Sequence, residues 1–359
     1  MKLVFLNIYQ GLVNRGAERS TEQLCERLSG DFNVTLIQGG KAKAVKKYNI
    51  ITIPVSASII PDSSGTFLRK FYLDYWSLRI LIFTVRSLPL LLKNNPDIIL
   101  PVNGGWQSFI CKIVCFFKKA KLVIIGRAGL GRDDAWNISL RPDLFVALTK
   151  RGEDWAKSVR PSVKVVCIPN GVDLKDFAHL GPKAVTGLKN PLIIASGALV
   201  VSKQLEFTIK AASLVKSKPS LLILGAGPLY DELRAFGNKN LGTSRFKIID
   251  VNPMDMSAYY RSGNLFTLAS YENEAFGNVY LEAMACGLGI VAPKGYREDL
   301  LDNAGIFFMP GNLDDYASAL ELGLERKFGD RPRFQAAKYS WDEIIKKYKD
   351  VLSLDSSNS

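Results

Sequence analysis

Residues 265–292 read LFTLASYENEAFGNVYLEAMACGLGIVA, and the succession of patterns inside that stretch decides the fold class. Leu265–Ala269 is a short continuous apolar run, as expected of a strand buried on both faces. A polar loop follows, then a helical pattern from about Asn278 to Cys286, then a second apolar run at Gly289–Ala292. Strand, helix and strand at this spacing make a parallel unit. In open sheets of this kind, ligands sit beyond the carboxyl ends of the strands and in front of helix N-termini. The backbone amides of Phe276, Gly277, Asn278 and Val279 are therefore expected to point at an anion. Glu274 falls in the loop and Glu282 about one turn into the helix, so both carboxylates can face one pocket. Carboxylates flanking an amide cluster suit a ligand that carries both hydroxyls and phosphates.

The same alternation runs outward in both directions. Upstream strands are expected at Lys2–Ile8, Val34–Gln38, Ile50–Pro54, Ile98–Val102, Leu122–Gly126, Leu144–Leu148 and Val163–Ile168. Helical patterns lie between them, among them Ala17–Ser29 and Phe67–Leu92. The rhythm restarts after Pro169-Asn170-Gly171, with strands expected at Leu192–Gly197, Ser220–Gly225, Phe246–Asp250, Leu265–Ala269, Gly289–Ala292 and Gly305–Met309. Asp173–Pro191 has few apolar residues and reads as a linker. A chain of 359 residues exceeds one ordinary core, and the restart predicts two successive α/β doubly wound units of Rossmann type.

Composition narrows the class further. Apolar residues make up 47%, which excludes wholesale disorder. Cys25, Cys111, Cys115, Cys167 and Cys286 form no CxxC pair, and there is one histidine, His179. A reducing compartment fits that usage better than a disulfide framework, and no metal site is expected. Met1–Ile8 reads as a first strand rather than a signal peptide, and the apolar stretch Leu78–Leu92 is broken by Arg79, Arg86 and Pro89. The expected location is cytoplasmic. The net charge of +13 is one-sided: residues 1–169 hold 25 Lys and Arg against 12 Asp and Glu, whereas residues 170–359 hold 22 of each. A single-sign field on one domain favours an anionic partner, and Phe67–Leu92 interleaves Phe71, Tyr72, Tyr75 and Trp76 with Arg69, Lys70, Arg79 and Arg86. Either a core-facing stripe with a basic rim or a membrane-surface helix accounts for that pattern. Gly225-Ala-Gly227 lacks the third glycine of a dinucleotide fingerprint, since position 230 is Tyr.

Taken in order, these motifs resemble those of glycosyltransferase family 4, a retaining family of the GT-B fold. Glu274 and Glu282 match its E-x7-E motif in spacing and context. Asn14-Arg-Gly16-Ala-Glu18 resembles its first-loop G-G-A-E, Ile168-Pro-Asn170-Gly171-Val-Asp173 its I-P-N-G-V-D, Leu224-Gly-Ala-Gly227-Pro228 its G-x-G-P, and Ser340-Trp341 its closing S-W. The resemblance implies two Rossmann-like domains facing each other across a cleft. Residues 1–169 would be the acceptor-binding domain, with a closing helix at 341–353 packing back on it, and residues 170–340 the donor-binding domain. Glu282 would accept from ribose hydroxyls of a nucleoside diphosphate sugar, and Glu274 would contact the sugar. Lys203 would neutralise the diphosphate, flanked by Gly197 and by the amides from Ala275 through Val279. Gly16 would let the first loop approach the phosphates, and backbone near Val251 would read the base.

Two departures stand out against that family. Ala198 replaces its common arginine, leaving Arg15, Arg127 or Arg132 as substitutes, and residues 1–169 contain no histidine. In the loop Gly126–Asn137, Asp133 or its neighbour Asp134 is the candidate to hold a donor or acceptor hydroxyl. The resemblance implies a retaining, metal-independent hexosyltransferase with no cofactor, acting on a glycan or lipid-linked acceptor. An anionic membrane surface is a further expected partner, on the inner face of the cell membrane; nucleic acid is not. The alternatives are a binding-only protein that has lost turnover and another GT-B enzyme such as a sugar-nucleotide epimerase.

Overall fold

In the computed structural model, described for residues 1–13, 15–42, 45–55, 66–270, 276–295 and 297–354, every strand pairing is parallel. The first sheet contains β1 (Lys2–Asn7), β2 (Asn33–Gln38), β3 (Asn49–Thr52), β4 (Ile98–Pro101), β5 (Lys121–Ile125), β6 (Leu144–Ala147) and β7 (Val165–Cys167), in the order β3-β2-β1-β4-β5-β6-β7. The second contains β8 (Leu192–Ser196), β9 (Ser220–Leu224), β10 (Phe246–Ile249), β11 (Leu265–Thr267), β12 (Gly289–Pro293) and β13 (Gly305–Phe308), in the order β10-β9-β8-β11-β12-β13. Both are doubly wound. The strand order reverses direction between β1 and β4 in one sheet and between β8 and β11 in the other, and such switch points open a crevice at the carboxyl edge. The central strands are buried along their whole length, because helices cover both faces.

Two compact units follow the sheets: Met1–Asn170 with the chain from Ile344 onward, and Gly171–Glu343. The last helix, Trp341–Leu354, passes from one to the other. Its end is tied into the first unit, where Lys349 pairs with Asp31 at 2.5 Å. Its start belongs to the second. There the indole of Trp341 lies so close to Gly171 that a Cβ on that glycine would stand 2.5 Å from the ring. The Val172 amide donates to the Tyr339 carbonyl (2.9 Å) and the Trp341 amide to the Val172 carbonyl (3.1 Å). These contacts give a physical reason for Gly171 and Trp341 to occur in one sequence.

Phe67–Leu92 departs from a single helical pattern. Helices run over Thr66–Lys70 and Tyr75–Asn94, separated by a turn in which Tyr72 takes φ 55° and Asp74 caps the second helix, accepting from the Ser77 amide at 3.1 Å. Phe67–Asn94 has the length and the mean hydropathy, 1.3, of a membrane span, but the turn divides it, and Phe83, Thr84, Ser87 and Leu91 are buried in the first unit.

Candidate functional site

In the second unit, three neighbouring strands, β8, β11 and β12, deliver their carboxyl ends to one edge. The β8 end carries Gly197, Ala198 and Leu199 into a 3-10 turn, Val201–Lys203. The glycines of Gly225-Ala-Gly227 hold this turn against the loop after β9. A Cβ on Gly225 would lie 2.0 Å from the Gly197 carbonyl oxygen, and one on Gly227 would lie 2.7 Å from the Leu199 amide nitrogen. The Gly197 and Leu199 amides donate to the Leu224 and Ala226 carbonyls at 3.0 and 2.9 Å. These glycines thus serve backbone-to-backbone packing in the loop that leads to Lys203. The Lys203 side chain runs past Gly197, its Cε 3.5 Å from where a Cβ would be.

The β11 end leads to the helix Asn278–Ala285. Gly277 caps it at φ +88°, a conformation that favours glycine. The Tyr280 amide closes the first turn on the Gly277 carbonyl at 3.0 Å, and the positive end of the helix dipole makes this end a place for an anion. The Tyr280 hydroxyl fastens the helix to its strand by donating to the Leu268 carbonyl at 2.9 Å. Glu282 is buried at 8% exposure, and the fully buried Tyr260 hydroxyl donates to its Oε2 at 3.0 Å. Burial first, and the Glu282 carboxylate next, push the Tyr260 phenol well above its usual range, so Tyr260 stays a donor. Glu274 and Ala275 lie outside the described residues, as does Asn14 of the first loop. Val251 follows β10 at the same carboxyl edge. Phe276 is buried, and Asn278 and Val279 open the helix.

Sequence reasoning missed Tyr260, which lies on a different helix, and Arg297, which follows β12. The Arg297 side chain is 2% exposed, its Cζ lies 5.1 Å from the Tyr280 ring centroid, and its Nε and Nη2 have no hydrogen-bond partner among the described residues. A basic residue in the loop after an apolar strand was the available signal, since that edge is where a doubly wound sheet places ligand contacts.

In the first unit, Gly16 opens the helix Gly16–Leu28 after β1. Of the three arginines considered as substitutes for position 198, Arg15 and Arg132 have partners there, and Arg127 has them at Nη1 but, among the described residues, not at Nε or Nη2. Arg15 pairs with Glu18 at 3.3 Å; Arg127 donates from Nη1 to the Ala17 carbonyl (2.8 Å) and Ser20 Oγ (2.6 Å). Arg132 donates to the Arg69 carbonyl (2.6 Å) and pairs with Asp133 (3.2 Å). Asp133 is half-exposed beside a pocket of about 230 Å³ that also involves Arg69, Tyr72, Trp76 and Trp106, and it accepts from the Tyr72 hydroxyl at 2.8 Å. Asp134 faces inward, accepting from the Ala128 amide at 3.2 Å, and burial pushes its carboxyl up to about 7. The two aspartates therefore differ: Asp133 can meet a ligand and Asp134 serves the loop.

An apolar face is also left outward in this unit. Leu78, Ile82, Val85 and Leu92 project from Tyr75–Asn94, and Phe109, Ile113, Phe116 and Phe117 from the helix Gly105–Lys118 packed beside it. Phe116 and Phe117 are 79% and 75% exposed, and Arg69, Lys70, Arg86 and Lys119 are exposed on the same two helices and their flanks. Among the described residues no group of three or more His, Cys, Asp or Glu gathers as metal ligands would.

Comparison with known proteins places this geometry in a class. Residues 190–325 match the family model described as Glycosyl transferases group 1. A sucrose-phosphate synthase structure from Thermosynechococcus elongatus superposes with a TM-score of 0.80 at 16% identity, covering 100% of both chains, which establishes the fold as that of the two-Rossmann-unit GT-B glycosyltransferases. Among curated proteins, the sulfoquinovosyl transferase of Arabidopsis thaliana is 29% identical over 164 residues, 43% of this chain and 31% of that protein. The N-acetylgalactosamine-N,N'-diacetylbacillosaminyl-diphospho-undecaprenol 4-alpha-N-acetylgalactosaminyltransferase of Campylobacter jejuni is 32% identical over 235 residues, 62% of this chain and 57% of that protein. The chain thus spans about a third and just over half of these relatives.

Proposed function

We propose that the protein is a retaining glycosyltransferase that moves a hexose from a nucleoside diphosphate sugar to a hydroxyl of a glycan or lipid-linked acceptor, without a metal ion. The observation that carries this reading is the glycine-capped helix Asn278–Ala285, with the buried Glu282 one turn behind its opening amides and fixed by Tyr260. An amide cluster for phosphate and a buried acceptor for ribose hydroxyls stand together at a strand end, the combination a nucleotide requires. Lys203 supplies a positive charge from the next strand end. Glu274 takes the sugar hydroxyls, and Asp133 the acceptor hydroxyl.

In this mechanism the bond from the anomeric carbon to the diphosphate oxygen breaks while the acceptor oxygen bonds to the same face. The acceptor proton passes to the departing phosphate. The protein lowers the barrier by positioning the partners and stabilising the growing leaving-group charge. The exposed apolar and basic faces of the first unit support action at an anionic membrane from the cytoplasmic side, with a lipid-linked acceptor drawn from it.

A thermal-shift panel of UDP-, GDP- and ADP-sugars tests the donor, since a ligand that binds only the native state raises its melting temperature. One member should stabilise the protein and be consumed, with an unchanged anomeric configuration in the product and full activity in EDTA. Stabilisation by none of them, with no transfer to lipid-linked or soluble acceptors, would refute the reading.

A further inference from the structure

We propose that Arg297 is the second cationic contact of the donor diphosphate, in the place left by Ala198; the inference rests on the function proposed above. An arginine keeps its charge under all ordinary conditions, so burying it without a counter-charge is costly. Arg297 is 2% exposed, yet its Nε and Nη2 have no hydrogen-bond partner among the described residues. The Tyr280 ring lies beside the guanidinium, 5.1 Å from its Cζ to the ring centroid, and carries no counter-charge. The adjacent carboxylate does not serve: Glu298 turns to the Gly295 amide, 2.8 Å from its Oε1.

The unpaired nitrogens lie at the opening of the helix Asn278–Ala285. A Cβ built on its cap, Gly277, would stand 3.5 Å from Arg297 Nε. Two features made separately by the fold therefore converge on one point: a helix N-terminus at the end of β11, and a buried guanidinium from the loop after β12. Lys203 approaches from β8, on the other side of β11. Two strand spacings, about 10 Å, separate the two basic strand ends, with the helix opening between them. A diphosphate lying across that opening meets a cation on each side. The fork of Arg297 is matched to phosphate oxygens, which a lysine point charge is not.

Calorimetry with UDP, GDP and ADP, each paired with its nucleoside, tests this. The wild-type protein is expected to bind one of the diphosphates. Arg297→Gln should weaken that diphosphate at least tenfold while the nucleoside alone binds as before. Arg297→Lys, which keeps the charge and guards against a misfolded glutamine variant, should lose several-fold. Equal affinity of Arg297→Gln and wild type for the diphosphate would overturn the assignment. So would an equal loss for diphosphate and nucleoside, which would make Arg297 a support for the loop or for a carboxylate in residues 271–275. Absence of any nucleotide binding by the wild type would overturn the proposed function, and this inference with it.

Discussion

The two units share an architecture but place their buried polar atoms differently. Among the described residues, the buried side-chain atoms without a partner in the first unit are spread over Glu26, Gln107, Ser108, Arg127, Asp134 and Asn137; in the second they belong to Arg297 alone. Residues 170–359 also carry no net charge, whereas residues 1–169 carry the whole +13 and leave Phe116 and Phe117 outward. In the second unit the orphaned atoms of the described residues thus gather on one side chain, beside the opening of the helix Asn278–Ala285. In the first unit they are spread over six side chains.

The comparison breaks most visibly at Lys203. Lys203→Ala should lower kcat by roughly 10²-fold or more, about 3 kcal/mol, because leaving-group charge is largest in the transition state. Near-normal steady-state turnover would mean that another basic residue holds the diphosphate. The next effect belongs to the first unit. Asp134 has its carboxyl raised from 3.8 to about 7, so the folded state holds a proton that the unfolded state has released. The associated stability is fully present below pH 3.8 and is lost as pH rises through about 7. Between pH 5 and 8 the loss should be about 2–3 kcal/mol, and Asp134→Asn should abolish it. Urea unfolding of both proteins at the two pH values reads the difference; identical slopes would assign the pH dependence elsewhere.

Glu282→Ala should cost about 1.5–3 kcal/mol in nucleotide affinity, the usual worth of a hydrogen bond to a charged group. An unchanged calorimetric affinity would remove the ribose assignment. The smallest effects are expected at the membrane, where each basic residue contributes about 1 kcal/mol. Arg69→Glu and Lys70→Glu should each loosen co-sedimentation with anionic vesicles, and salt should do the same for the wild type. Phe116→Ser with Phe117→Ser should weaken it without altering donor binding. Failure of the wild type to bind anionic vesicles at low salt would leave the charge of the first unit to a soluble anionic acceptor.

Strand positions were legible because continuous apolar runs between helical patterns have one economical reading, and the restart after Gly171 marked the second sheet. The helix carrying Glu282 was legible for the same reason. The break at Tyr72 was not, since a left-handed tyrosine has no glycine to announce it, although Asp74 three residues before Ser77 was a readable cap. Tyr260 and Arg297 escaped because partnership across 22 residues, and burial without partnership, are properties of packing rather than of local pattern.

The bridge between Val172 and Ser340, roofed by Trp341 over Gly171, brings the beginning and the end of the second unit to a single place. A segment whose two ends coincide can be lifted out of a polypeptide and another inserted with little re-routing. Gly171–Ser340 is in that sense a cassette: exchange at this seam leaves the path of the chain through the first sheet unchanged.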